Sequence, residues 1–140
     1  MAGSVVAMTT SMKLDTGPGL RATLRVDGWS TGAFGIFLLA TAPVLREPLG
    51  LPTSWSIPFG VAMLGGATAL LLIAGYPEIP ARAAGAVAAA NAVSGLVLVE
   101  LAVVDVIPLT MPGRMFLLAG AAFVATCAAL EFAGLRRERA

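Results

Sequence analysis

Four long apolar stretches, separated by short charged segments, dominate the pattern along the chain. The stretches at 28–45 and 48–77 contain no charged residue, and those at 83–104 and 115–135 contain one glutamate each. A bilayer core of about 30 Å is crossed by roughly 20 helical residues, so each stretch is long enough to span it. The stretches are rich in Ala and Leu and do not alternate strictly, which favours helices over strands. The sequence predicts four membrane-spanning helices, at about 26–45, 55–76, 80–105 and 112–135.

Proline positions support these limits. Pro58, Pro80 and Pro112 fall in the first turns of the second, third and fourth predicted spans, where a missing backbone N–H costs least. We therefore predict an all-α fold, a four-helix transmembrane bundle formed by residues 20–137. Residues 1–19 are predicted to be a flexible N-terminal lead, and residues 138–140 a C-terminal tail.

Basic residues are divided unequally between the two sides of the predicted bundle. With four spans, both termini lie on one side, together with the loop between the second and third spans. The other side holds only Arg46 and Arg114. By the positive-inside rule, both termini are predicted to be cytoplasmic. The basic residues on that side are Lys13, Arg21, Arg25, Arg82, Arg136, Arg137 and Arg139.

The amino-acid composition excludes several kinds of catalytic and metal-binding site. The chain is 58% hydrophobic and 12% charged, and it contains no histidine and one cysteine. These counts exclude an imidazole base, a histidine-ligated metal and an internal disulfide. A net charge of +1 does not suggest nucleic acid as a partner. With no phosphate loop, nucleophile elbow or carboxylate pair at metal-ligand spacing, we expect no enzymatic activity, no catalytic residue, no metal and no cofactor.

Polar residues within the third span form a first candidate site. Asn91, Ser94 and Asp105 recur on one side of a helical wheel, at spacings of three and four together with Leu98 and Ala102. Two interpretations stay open for this weakly polar track. Asn91 could make a single interhelical hydrogen bond, or the track could line a small cavity or an ion pathway.

Glu100 is a second candidate, on the opposite side of the same span. It is nine residues beyond Asn91, which turns it about 180° away, so the two are not expected to line one narrow site. Either Arg114 or Arg46 pairs with its carboxylate, or the carboxylate binds a ligand or a proton.

A third candidate is a polar cluster at the inner surface, which we expect at headgroup depth. Two interpretations are again open: a salt-bridge clasp between helix ends, or a polar vestibule in which Asp27 and Thr31 meet a substrate. The residues of this cluster are Arg25, Asp27, Thr31, Arg82 and Glu131.

Several short segments resemble a family of small four-span membrane proteins from high-GC actinobacteria. The segments are LRVDGWSTGAFG (24–35), LGLP (49–52), the lone Asn91 and LEFAGLRR (130–137). The resemblance implies a four-span topology in a bacterial cytoplasmic membrane and no particular activity. It also implies that Arg25, Asp27, Thr31, Gly32 and Asn91 belong to the family pattern. Small multidrug transporters fit less well, because they carry a glutamate inside the first span.

Two functions follow as hypotheses. In the first, the protein binds a lipophilic small molecule between its helices or serves as an accessory subunit of a membrane complex. In the second, it is an oligomeric small transporter or channel subunit that uses Glu100 or the Asn91–Asp105 track. The expected partners are the lipid bilayer and either further copies of the chain or a larger membrane complex.

Overall fold

Four helices make up the membrane domain in the computed structural model, which describes residues 19–140. The helices are α1 (Leu20–Leu49), α2 (Thr53–Gly75), α3 (Ala81–Val103) and α4 (Met111–Arg139). All four are long and apolar enough to cross a bilayer, which confirms the predicted all-α, four-span fold. Apart from Gly19, the predicted lead at 1–19 and its Lys13 lie outside the described residues.

Helix α1 is longer than its predicted span at both ends. It begins at Leu20 because Leu20 and Leu24 are buried in a core cluster with Leu70 of α2 and Leu135 of α4. It continues through two exposed prolines and ends only at Gly50, whose φ of 63° is the left-handed conformation that glycine tolerates best. This early start places Asp27 well inside the helix instead of at its mouth.

The helices pack as two antiparallel hairpins. Helix α1 lies along α2, α3 lies along α4, and α1 contacts α4, whereas α2 and α3 approach each other at few positions. Close approach in the first hairpin depends on glycine: a Cβ at Gly60 would lie 2.5 Å from Cγ of Leu39. The first residues of α1 contact Gly134 of α4, so the first and last helices meet at one end of the bundle.

Arg21 caps α2 at this end of the bundle. Its guanidinium donates hydrogen bonds to the carbonyl of Ala74 and, at 2.7 and 3.0 Å, to those of Tyr76 and Pro77. These carbonyls lie at and just beyond the C-terminus of the helix, where the negative end of the dipole favours a cation.

A second contact closes the opposite end. The Thr110 hydroxyl donates to the carbonyl of Pro48 at 2.6 Å and accepts from the backbone N–H of Gly113 at 3.2 Å. Thr110 therefore caps α4 and holds it against the C-terminus of α1. The approach is so close that a Cβ on Gly113 would lie 1.9 Å from the carbonyl oxygen of Leu49.

Candidate functional site: a buried carboxyl–amide cluster

Three polar side chains from three helices meet inside the bundle. The Asn91 amide nitrogen on α3 donates to Oδ2 of Asp27 on α1 at 2.7 Å and to Oε2 of Glu131 on α4 at 3.0 Å. Asp27 is 1% exposed and Glu131 is fully buried. We call Asp27, Asn91 and Glu131 the carboxyl–amide cluster.

The cluster lies inside the bundle, at least seven residues from the nearest end of each of the three helices. Asn91 is ten residues from the first residue of α3 and twelve from the last, so it is close to the middle of that helix. Asp27 is seven residues from the start of α1, which is about 10 Å along the axis at about 1.5 Å per residue. Glu131 is eight residues from the end of α4. Ionisable side chains at such depth are costly in lipid unless they are paired, neutral or exposed to water.

Thr31 supports the cluster from the next turn of α1. Its hydroxyl donates to Oδ1 of Asp27 at 2.9 Å. Helical threonines ordinarily donate to the carbonyl four residues earlier, as Thr41, Thr68 and Thr126 do here. Thr31 makes its bond to a side chain instead, so both oxygens of Asp27 accept a hydrogen bond.

Donors and acceptors do not balance in the cluster. Four carboxyl oxygens face three strong donor hydrogens, two on the Asn91 amide and one on the Thr31 hydroxyl, and the weakly donating thiol of Cys127 beside Asp27. The remaining oxygen, Oε1 of Glu131, is buried and has no hydrogen-bond partner among residues 19–140. A fully buried, unsatisfied carboxyl oxygen is rare in folded proteins and points to a missing hydrogen or ligand.

The salt-bridge clasp, one of the two interpretations of the inner cluster, does not form among residues 19–140. Arg25 and Arg82 are exposed, and neither pairs with Asp27 or Glu131. Within residues 19–140, the ion pair that forms is Arg114 with Asp105, at the other end of the bundle. The expected ion pairs do not form because the residues lie on different helix faces: Asp27 and Glu131 point into the bundle, whereas the two arginines point outward. Of the predicted inner cluster, Asp27, Thr31 and Glu131 therefore lie together with Asn91, whereas Arg25 and Arg82 lie apart from it.

The residues of the predicted track along α3 do not form one site. Asn91 faces the bundle, whereas Ser94 and Asp105 are exposed. Arg114 donates to the carbonyl of Ala102 at 2.7 Å and pairs with Asp105, so it links the end of α3 to α4. This part of the track is a helix-end contact and lies apart from the carboxyl–amide cluster.

Glu100 lies nearer the surface than the predicted span suggested. Helix α3 ends at Val103, so Glu100 falls in the last turn, and its side chain is exposed. From there a glutamate can extend toward the headgroups. Arg114, one of its two expected partners, engages Asp105 and Ala102 instead.

The sequence analysis did not assign Cys127 or Arg21 to any site. Cys127 is buried and lies close to both carboxyls of the cluster. Its spacing of four residues from Glu131 places both on one face of α4, a signal that was available in the sequence. Arg21 carried no comparable signal, because its partners are backbone carbonyls more than fifty residues away.

Comparison of the chain with protein-family models, with curated proteins and with solved structures finds no match.

Proposed function

We propose that this small integral membrane protein is non-enzymatic and binds a lipophilic small molecule against its second hairpin. A groove between α3 and α4 supports the proposal. The groove has a volume of about 560 Å³ and is open toward the lipid. Ligand pockets commonly enclose roughly 300–1,000 Å³. Small residues form much of its wall: Ala92, Gly95, Ala121, Ala122, Ala125 and Ala128.

The groove suits an apolar, slender ligand. Leu96, Val99 and Leu118 complete its lining, and no charged side chain contributes to it. Because alanine and glycine have small side chains, the groove leaves room for the hydrocarbon chain or flat ring of a ligand, which would make van der Waals contacts with its walls. Gly95 is one turn from Asn91 and Ala128 is one turn from Glu131, so the groove runs along the helices toward the carboxyl–amide cluster.

Photocrosslinking with a diazirine fatty acid tests this binding in lipid nanodiscs. We expect the label to concentrate on α3 and α4 peptides, and Ala122→Phe to reduce it because the ring fills the groove. Ala69→Phe is the matched control, since Ala69 is equally exposed on α2 and does not line the groove. Equal labelling of all four helices, or unchanged labelling in Ala122→Phe, would contradict the proposal. Co-elution of a stoichiometric partner protein from mild detergent would favour an accessory subunit instead.

A small transporter or channel subunit is the second candidate, and the carboxyl–amide cluster favours it. The residues that would carry ions are then Asp27 and Glu131, in place of Glu100 and Asp105. Proton flux into proteoliposomes, reported by a trapped pH dye under a membrane potential, tests this role. Glu131→Gln should abolish the flux and Glu100→Gln should leave it unchanged. Flux that survives Glu131→Gln would exclude the cluster from the pathway.

We also propose a bacterial cytoplasmic membrane as the location, with both termini in the cytoplasm. The unequal distribution of basic residues supports this orientation. So does the contact of the first turn of α1 with Gly134, because it brings the basic ends of α1 and α4 to one side. Reporter fusions at both ends of the chain would test it.

A further inference from the structure

We propose that Asp27 and Glu131 together bind one titratable proton, which the pair shares inside the membrane. The inference goes beyond lipophile binding and does not depend on it. It is drawn from the geometry of the carboxyl–amide cluster.

The first observation is the closeness of the two carboxyls. Oδ2 of Asp27 and Oε2 of Glu131 accept hydrogen bonds from the same nitrogen, at 2.7 and 3.0 Å. Two ionised carboxylates held around one atom repel each other strongly, and burial removes the water that would screen them. A proton held between the carboxyls removes half of this charge.

The second observation is the unpartnered oxygen. Oε1 of Glu131 is buried and accepts no hydrogen bond from the described part of the chain. The amide and hydroxyl hydrogens already bind the other three oxygens, and the nearby Cys127 thiol makes no hydrogen bond to Oε1. A proton on the pair supplies the fourth hydrogen, and the protonated carboxyl then donates to its neighbour.

The third observation is that no arginine among residues 19–140 pairs with either carboxyl. Helix α2 carries no charged residue. On α1, Arg21 donates to the end of α2 and Arg25 is exposed; on α3, Arg82 is exposed and far from Asn91 along the helix. On α4, Cys127 is the other titratable group close to the pair, and a thiol adds no positive charge. A doubly ionised pair would therefore be an uncompensated buried charge.

A proton fits this site better than a metal cation. Among residues 19–140, no three Asp, Glu, Cys or His side chains are arranged to hold a metal ion. The amide presents its nitrogen to both carboxyls, and an N–H repels a cation while it stabilises a carboxylate. Three of the four carboxyl oxygens already accept hydrogen bonds, so the pair leaves one free oxygen for sodium, whereas one free oxygen is enough to accept a proton.

Infrared difference spectroscopy of the full chain in lipid nanodiscs tests the proposal. At about pH 7 a solvated Asp or Glu, with a pKa near 4, is ionised and shows no carboxylic-acid C=O band. We expect the wild type to show this band for one carboxyl per chain and to lose it on titration to alkaline pH. Added sodium should leave the band unchanged. A wild type without the band at about pH 7, or a band that sodium displaces, would overturn the proposal.

Isosteric variants assign the proton to the pair. Asp27→Asn and Glu131→Gln should each lose the band, because the new amide donates to the remaining carboxylate and the repulsion is gone. Glu100→Gln is the matched control and should keep it, since Glu100 is exposed in the last turn of α3. A band that persists in both cluster variants, or disappears in Glu100→Gln, would overturn the proposal. If a variant fails to fold, the wild-type titration still decides.

Discussion

Replacing Asn91 with leucine removes the side chain that joins α3 to α1 and α4 and leaves a residue of similar size. The two bonds lost measure 2.7 and 3.0 Å, and both acceptors are carboxyl oxygens. Interhelical hydrogen bonds in membranes contribute about 0.6 kcal/mol on average and up to about 1.7. Hydrogen bonds to carboxylates are stronger than those between neutral groups. We therefore expect Asn91→Leu to lower the free energy of unfolding by about 2 kcal/mol. That corresponds to a roughly 30-fold shift in the unfolding equilibrium.

Reversible unfolding in bicelles, followed by steric trapping, would measure this loss. Ser94→Ala is the control, because Ser94 lies one turn away on α3 but is exposed. Exposed substitutions of this kind change stability by less than about 0.5 kcal/mol. If Asn91→Leu changes stability no more than Ser94→Ala does, the cluster contributes nothing measurable to helix packing and the reasoning fails.

Two further substitutions test the ends of the bundle by the same unfolding assay. Arg21→Met should cost about 1–2 kcal/mol because it removes the cap on α2, whereas Arg25→Met should cost little because Arg25 is exposed; equal effects would refute the capping role. Gly113→Ala should cost about 1–3 kcal/mol by forcing α4 away from the end of α1. Gly65→Ala should be neutral or stabilising, since no atom lies within 4 Å of its new Cβ; a neutral Gly113→Ala would show that the close contact does not form.

The number and type of elements could be predicted from the sequence. Hydropathy and length determine that a stretch such as 83–104 crosses the bilayer as a helix, and neither depends on its neighbours. Helix ends were less predictable. The first span was predicted at about 26–45, but packing of Leu20 and Leu24 extends the start of α1, and the helix ends before Gly50.

The candidate site could be predicted only in parts. Asn91, Asp27 and Glu131 each stood out as polar residues in or near apolar stretches, yet they were assigned to two separate groups. Their meeting depends on the rotation and axial position of α1, α3 and α4 relative to one another, which no local pattern specifies. Asp27 was also expected at the start of the first span (about 26–45), whereas α1 begins seven residues before it.

Glu100 shows the opposite error. The predicted span, about 80–105, placed it five residues before the helix end, but α3 ends at Val103, three residues after it, and leaves its side chain exposed. A hydropathy pattern reports which residues are apolar and does not report where a helix stops. The acidic residues that the fold buries are Asp27 and Glu131, and both have arginines nearby along the chain.

Solid-state NMR of the protein in lipid bilayers tests the central claim, that Asp27, Asn91 and Glu131 form one buried cluster, most directly. Asn91 is the only asparagine in the chain, and there is no glutamine, so one ¹⁵N side-chain amide signal reports on the cluster without ambiguity. We expect dipolar contacts from this nitrogen to one aspartate and one glutamate carboxyl carbon, lost respectively in Asp27→Leu and Glu131→Leu, which add no second side-chain amide. An Asn91 amide that shows contacts to neither carboxyl would contradict the account.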